Sequence, residues 1–274
     1  MTSIDRLKQR VRERAWRRLM DGGGAPPNSF GKIPGFHGAE ATAERLAGLD
    51  LWQRSTVVKA NPDRAQFPVR VRALKDGKRL YMAVPRMATL EPFYLLDPDA
   101  LGLPAEDAAG KSGAAQLAPR VGVEDMEPID LVVCGSVAVN RSGARIGKGA
   151  GYSDLEVALL IEAGLVTDRT VIIAPVHQLQ VLEEQIPESE HDFSVDYIVT
   201  PDEVIRCTAP RRPSGLVWSD LTAEKIAAIP VLVARHALHR SESPAVHPQS
   251  TLPNLQGMRG RPQPTSGPRE GNRA

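Results

Sequence analysis

The sequence predicts one α/β domain whose parallel strands are joined by crossover helices, and three observations predict it. From Ser55 onward, short β-branched runs alternate with helix-length segments, the pattern of repeated strand–helix–strand units. The longest apolar runs, residues 131–139 and 171–176, are strand-sized. A chain of 274 residues with 42% apolar and 24% charged side chains is long enough to bury a core and has ordinary globular composition, which excludes collagen, coiled coil and wholesale disorder.

The elements follow in order. Ile4, Leu7, Val11, Ala15 and Leu19 recur at spacings of three and four, leaving Lys8, Arg10, Arg12, Arg14, Arg17 and Arg18 largely on other faces, so residues 4–19 read as an amphipathic helix. Residues 21–24 end it, a Pro- and Gly-bearing connection runs to Gly38, and a short helix covers 39–49. Strands are expected over residues 55–60, 79–84, 131–139, 170–174, 195–200 and 230–234. Pro68 suits the first turn of a helix that runs to Lys75 and stops at Asp76-Gly77. Residues 154–164 form a further helix, with Leu155, Ala158, Leu159 and Glu162 at helical spacing, Asp154 where an N-cap belongs and Gly164 as the stop. The last 34 residues, 241–274, hold six prolines, four glycines and no aromatic, too little apolar surface to offset ordering entropy. The domain is therefore expected over 1–240, with 241–274 a disordered tail.

Charge and composition exclude several function classes. Thirty-four Lys and Arg against 33 Asp and Glu leave a formal charge of +1, which argues against a nucleic-acid binder held by excess charge. No apolar run approaches the about 18–20 residues that span a bilayer. The Arg-rich N-terminus contains Asp5 and Glu13 and lacks an apolar signal core, so the expected compartment is the cytoplasm. Two cysteines, Cys134 and Cys207, make no disulfide framework. His177, His191 and Asp192 are irregularly spaced with no cysteine among them, a poor match to a transition-metal site.

The most informative stretch runs from Asp130 to Asp154. A buried strand enters a turn at residues 140–143, then Gly147, Gly149 and Gly151 fall at alternate positions, and a helix follows. Glycines permit close backbone approach, so successive amides can converge on phosphate oxygens beside a helix N-terminus. Arg145 and Lys148 add cations there. A Walker A loop is rejected, because Gly143 and Gly147 are three residues apart and Gly149 follows Lys148 where a Ser or Thr belongs. A dinucleotide fingerprint fits weakly: the spacing is G-x-G-x-G, and Asp168 precedes the next strand instead of ending it. A plain glycine-rich turn is the remaining alternative, weakened by Arg145, Lys148, Tyr152 and Asp154 within ten residues.

Residues 131–154 resemble the signature of the 5-formyltetrahydrofolate cyclo-ligase (methenyltetrahydrofolate synthetase) family, in which a strand, a turn and an R-x-G-x-G-x-G-Y-Y-D loop hold ATP and a pterin. The resemblance extends to Lys8-Gln-Arg-Val-Arg12, to the G-K…P-R pattern of residues 77–86 and to residues 185–200, and so covers most of 1–235. It implies a three-layer α/β/α sandwich with a mostly parallel central sheet, of the cyclo-ligase and NagB/RpiA/CoA-transferase type. It also implies ATP- and Mg²⁺-dependent ring closure of 5-formyltetrahydrofolate to 5,10-methenyltetrahydrofolate, through phosphorylation of the formyl oxygen. Carried over by position, Lys8, Arg12, Arg145, Gly147, Lys148, Gly149, Ala150, Gly151 and Tyr152 would bind ATP, with Arg145 and Lys148 catalytic. Asp154 and Asp196 would hold Mg²⁺. A small folate-like substrate, no nucleic-acid or membrane partner, and a monomer or homodimer complete the expectation.

This chain departs from the pattern at named positions. The family's second loop tyrosine is Ser153, a basic residue common between the last two glycines is Ala150, and no glutamate aligns in residues 59–70 where the family contacts folate. Lys59, Gln66 and Tyr152 are the substrate-binding candidates that remain, with Asp63 and Arg70 near them. A nucleotide- or folate-binding protein without turnover is the alternative these departures raise.

Overall fold

A computed structural model describes residues 2–242. Eleven strands form two sheets: β1 (Val57–Ala60), β2 (Arg79–Ala83), β3 (Phe93–Leu96), β4 (Arg120–Val121), β5 (Leu131–Val133), β6 (Ala138–Asn140), β7 (Arg145–Ile146), β8 (Val171–Pro175), β9 (Val181–Leu182), β10 (Tyr197–Val199) and β11 (Val204–Arg206). The helices are α1 (Ser3–Asp21), α2 (Ala39–Ala47), α3 (Asp50–Arg54), α4 (Phe67–Lys75), α5 (Ala105–Ala108), α6 (Lys111–Leu117), α7 (Tyr152–Glu162), α8 (Ala223–Ala227) and α9 (Pro230–Glu242).

The large sheet has the order β11-β10-β8-β5-β1-β2-β3-β4. Its five inner strands, β10 to β2, are parallel, and β11, β3 and β4 add antiparallel edges. Alternate residues of the parallel strands serve opposite layers, which is why these strands are apolar on both faces. Val57, Val132 and Ile172 pack with Val157 and Leu159 of α7 and Leu232 of α9. Val58, Leu131, Val133 and Ile173 pack with Leu46 of α2, Trp52 of α3 and Val69 of α4. The result is the expected three-layer sandwich. A small sheet, β7-β6-β9, packs with Val11, Ala15 and Trp16 of α1 in a separate apolar cluster.

Four local expectations are corrected. The run 131–139 is two strands: it leaves the large sheet after Cys134, whose amide still donates to Ile173, and enters the small sheet at Ala138. Gly135 makes that crossing, where a Cβ would lie 2.9 Å from Ile33 Cγ2 and 3.0 Å from Gln66 Oε1. Residues 230–234 are not a strand but the start of α9, with Pro230 at its first position and Arg235 donating to Glu124. Asp154 is not the N-cap of α7; Gly151, at φ 71°, holds that position and Asp154 is the third helical residue. Leu7 is 42% exposed, while Lys8 occupies the buried face of α1 with Val11, Ala15 and Leu19. The boundary expected at 240 falls within α9, and the tail expected over 241–274 lies, from 243 on, outside the described residues. Cys134 and Cys207 are buried free thiols, and burial with the nearby Asp196 carboxylate pushes Cys207 up to about 12. Among the described residues no helix is long and apolar enough to cross a membrane.

Candidate active site

Chain order places the site. From β1 the sheet grows one way through β2 and the other way through β5, β8 and β10, so a topological switch lies between β1 and β5. At such a point the loops leaving the carboxyl ends of two strands diverge and open a crevice. A cleft of about 630 Å³ lies there, walled by Asn61 and Asp63 after β1, Arg86 after β2, Gly135 after β5 and the glycine loop 147–151.

One wall belongs to α1, the small sheet and the glycine loop. Lys8 and Arg12, one turn apart, both reach the cleft. The Lys8 ammonium is paired with Asp192 and donates to Ser189 Oγ at 2.9 Å. Burial would raise the Asp192 carboxyl, but Lys8 and the Ser189 amide, 2.5 Å away, outweigh it and hold it below the usual carboxylate range. Arg12 Nε donates to the Gly147 carbonyl at 2.7 Å, and burial lowers its pKa. Arg145 is buried, lies 3.7 Å over the Phe193 ring and is paired with Asp154. Burial raises the Asp154 carboxyl; Arg145 opposes that shift and Asp192 adds to it. Lys148 is half exposed, 4.0 Å from Asp63.

The loop is shaped to present amides. Gly149 and Gly151 sit at φ 103° and 71°, conformations that a side chain would strain. Among the described residues nothing accepts from the amides of Lys148, Gly149, Ala150 and Gly151, and α7 has no side-chain cap. Free amides at the start of an 11-residue helix, ringed by Lys8, Arg12, Arg145 and Lys148, are an arrangement that suits an anion.

The donor set also suits Mg²⁺. Asp154 and Asp192 each engage a cation through one oxygen, and among the described residues neither Asp154 Oδ2 nor Asp192 Oδ1 makes a hydrogen bond. Two carboxylates lining one cleft are what Mg²⁺ takes when phosphates and water complete its shell; Asp192 Oδ1 lies 3.9 Å from His191 Nε2. Among the described residues no three His, Cys, Asp or Glu converge as a self-sufficient metal site.

The structure gathers Lys8, Arg12, Arg145, Gly147, Lys148, Gly149, Ala150, Gly151, Tyr152 and Asp154 around this cleft. It does not bring Asp196 there. Asp196 immediately precedes β10 at the opposite, amino end of the sheet, where it accepts from the Ile172 amide at 2.7 Å and from Arg212 at 2.5 Å. Lys59 does not line the cleft either but lies beneath it: inside β1 it shares a face with Val57, is fully buried and lies 2.5 Å from Glu156 of α7, which does line it. Gln66 is fully buried behind Gly135, with neither amide atom hydrogen-bonded. Arg70 is buried and braces the β1 turn by donating to the carbonyls of Asn61 at 2.6 Å and Asp63 at 2.9 Å; burial lowers its pKa to about 10.

Sequence reading left Asp192, Asn61 and Arg86 of the cleft out of the site, weighing Asp192 only with His177 and His191 as a transition-metal cluster and setting that aside. Asp192 had a usable signal, the His-Asp pair four residues before the expected Asp196. Asn61 follows directly on the apolar run of β1, and its buried Oδ1 has no partner. Arg86 closes the P-R pattern of residues 77–86 and has a backbone signal besides: it and Met87 sit at φ 60° and 52°, rare for side-chain-bearing residues and frequent where function holds strain.

The profile of the 5-formyltetrahydrofolate cyclo-ligase family matches residues 6–201. A methenyltetrahydrofolate synthase domain-containing protein of Bos taurus is 36% identical over 243 residues, 86% of this chain and 63% of its own length. The chain thus spans less than two thirds of that relative. The 5-formyltetrahydrofolate cyclo-ligase of Mycolicibacterium smegmatis is 34% identical over 83 residues, 30% of this chain and 39% of the other. Among solved structures, the 5,10-methenyltetrahydrofolate synthetase of Aquifex aeolicus aligns with a TM-score of 0.49 at 22% identity, covering 75% of this chain and 95% of that one.

Proposed function

The chain belongs to the 5-formyltetrahydrofolate cyclo-ligase family, and from that premise we propose that it is an ATP- and Mg²⁺-dependent ligase that closes 5-formyltetrahydrofolate, or a related reduced heterocycle with an activatable carbonyl oxygen, to its cyclic product. The observation that carries this reading is the convergence of Lys8, Arg12, Arg145, Lys148 and the free loop amides with two carboxylates at one cleft.

In this reading the cations and amides bind the ATP phosphates and hold the γ-phosphoryl group in line with the acceptor. Phosphoryl transfer needs positioning and charge stabilisation more than a covalent nucleophile. Asp154 and Asp192 would hold Mg²⁺, which when bound supplies neutralisation of the phosphate oxygens. Asp192 also fixes the Lys8 ammonium, and Phe193 fixes the plane of Arg145. The acceptor carbonyl oxygen takes the γ-phosphoryl group and ADP leaves; the second nitrogen of the substrate then attacks the activated carbon, gives up its proton, and inorganic phosphate departs. The acceptor would lie against Asn61, Asp63 and Arg86, which face the loop from the strand ends, and against Tyr152 at the start of α7.

The test is spectrophotometric: full chain, Mg-ATP and 5-formyltetrahydrofolate, with methenyltetrahydrofolate absorbance and ADP release followed together. Product that Lys148→Ala abolishes supports the proposal; absence of Mg-ATP binding overturns it. Binding without ADP release would select the non-catalytic reading, which the burial of Lys59 and Gln66 away from the cleft favours.

A further inference from the structure

A segment beyond the family-matched residues 6–201 grips the glycine loop from behind. Lys225, in α8, donates from Nζ to the Ala150 carbonyl at 3.0 Å and lies 3.7 Å over the Tyr152 ring. Close by, Asp220 accepts from His191 Nδ1 at 2.7 Å, and His191 adjoins Asp192 on the cleft wall. These contacts frame a second, mainly apolar pocket of about 300 Å³ on the far side of the loop; Lys225 lines that pocket, whereas Tyr152 lines the cleft. Tyr152 thus lines the cleft while one face of its ring carries Lys225.

The peptide between Ala150 and Gly151 is trans, so its C=O and N–H point in opposite directions. Drawing the Ala150 carbonyl toward Lys225 turns the Gly151 amide toward the cleft. A loop with two left-handed glycines has many alternative conformations, so a fixed amide direction needs an external tie.

We propose that Lys225 is a positioning residue for the anion site: by holding the Ala150 carbonyl and one face of Tyr152 it orients the loop amides and the ring without touching the ligand. The inference rests on the reading of the cleft as a nucleotide site. Lys225 acts with the Asp220–His191 contact, so residues 218–225 form a clasp over the loop and the Asp192 wall.

The experiment uses the full chain and two readouts. The first is the backbone amide NMR order parameter of residues 147–152 without ligand; the second is Mg-ATP binding by calorimetry. Lys225→Met keeps the aliphatic stem and removes the charge and donor, and Lys225→Arg restores both. We expect Lys225→Met to leave the urea midpoint unchanged, to lower the loop order parameters from about 0.85 to below about 0.6, and to weaken Mg-ATP about tenfold, the size of one lost charge-assisted hydrogen bond. Lys225→Arg should recover most of both, and Asp220→Asn should reproduce part of the loss. Loop order parameters identical in Lys225→Met and wild type overturn the proposal, whatever the affinity does. Should wild type bind no Mg-ATP, the nucleotide reading fails, and the order parameters still decide the role of Lys225.

Discussion

Lys59→Met is the sharpest test of how the floor beneath the cleft is built. Lys59 is fully buried and Glu156 nearly so, at 2.5 Å, with Asn61 Nδ2 also donating to Glu156 at 3.2 Å. Methionine keeps the stem volume but leaves a buried carboxylate with a single neutral donor. Removing one partner of a buried pair costs about 3–5 kcal/mol, because the surviving charge stays desolvated. At a urea slope of about 2–3 kcal/mol/M, the midpoint falls by about 1–2 M. Replacing both, Lys59→Met with Glu156→Leu, removes the stranded charge and should return stability to within about 1 kcal/mol of wild type. The assay is urea unfolding of wild type, both singles and the double, with slopes compared to confirm one transition. If Lys59→Met shifts stability by less than about 1 kcal/mol, or if the two single losses add in the double, the pair is not the desolvated unit described here.

Three further outcomes are expected. Asp192→Asn should weaken Mg-ATP by about tenfold or more in calorimetry, since it loosens Lys8 and removes a carboxylate, whereas Asp196→Asn should leave affinity unchanged; equal losses would return Asp196 to the site. Gly135→Ala should lower stability by about 1–3 kcal/mol in the same urea assay, because the added methyl meets Ile33 and Gln66 within 3.0 Å; a neutral result would mean the crossing is loosely packed. Burial pushes the Asp130 carboxyl up, but the amides of Thr56 and Val57 and the Thr56 hydroxyl, all on Oδ2, hold it below its usual value. Its folded value being depressed, its stabilisation is present above the unfolded value near about 4 and is lost as pH falls through the folded one. Asp130→Asn should therefore show a smaller loss of thermal midpoint than wild type between about pH 5 and pH 2.5, and parallel curves would remove Asp130 from the account.

Most of the parallel core was legible in the sequence because short apolar runs buried on both faces advertise themselves, β-branched at residues 57–58 and 171–173 and unbranched at the Cβ at 80–83. The antiparallel edges were not: β4 has two residues and β11 three, too short for alternation to register. The strand expected at 230–234 failed because Pro230-Val-Leu-Val-Ala reads equally as a β-branched run and as a helix opening on proline, and packing decided it. The glycine loop and its cations were legible because their spacing is unusual. Lys59 was misread because a lysine inside an apolar strand signals either a ligand contact or a buried partner, and Glu156 lies 97 positions away. Asp192 and Asp196 differ by one helical turn's worth of chain but stand at opposite ends of the parallel strands, a distinction only the fold supplies.

The crossing at Gly135 divides the protein in a way that bears on its history. Every residue assigned to the phosphates hangs from α1, the small sheet or the loop they share, while Asn61, Asp63 and Arg86 hang from turns that end β1 and β2. On the proposed reading, substitutions at Asn61 and Arg86 would alter what is recognised opposite the phosphates, while Asp63, 4.0 Å from Lys148, is the point where the two halves touch. A lineage built on this plan could exchange one acceptor for another by rewriting two short turns around that one contact, keeping its energy-coupling half through the change.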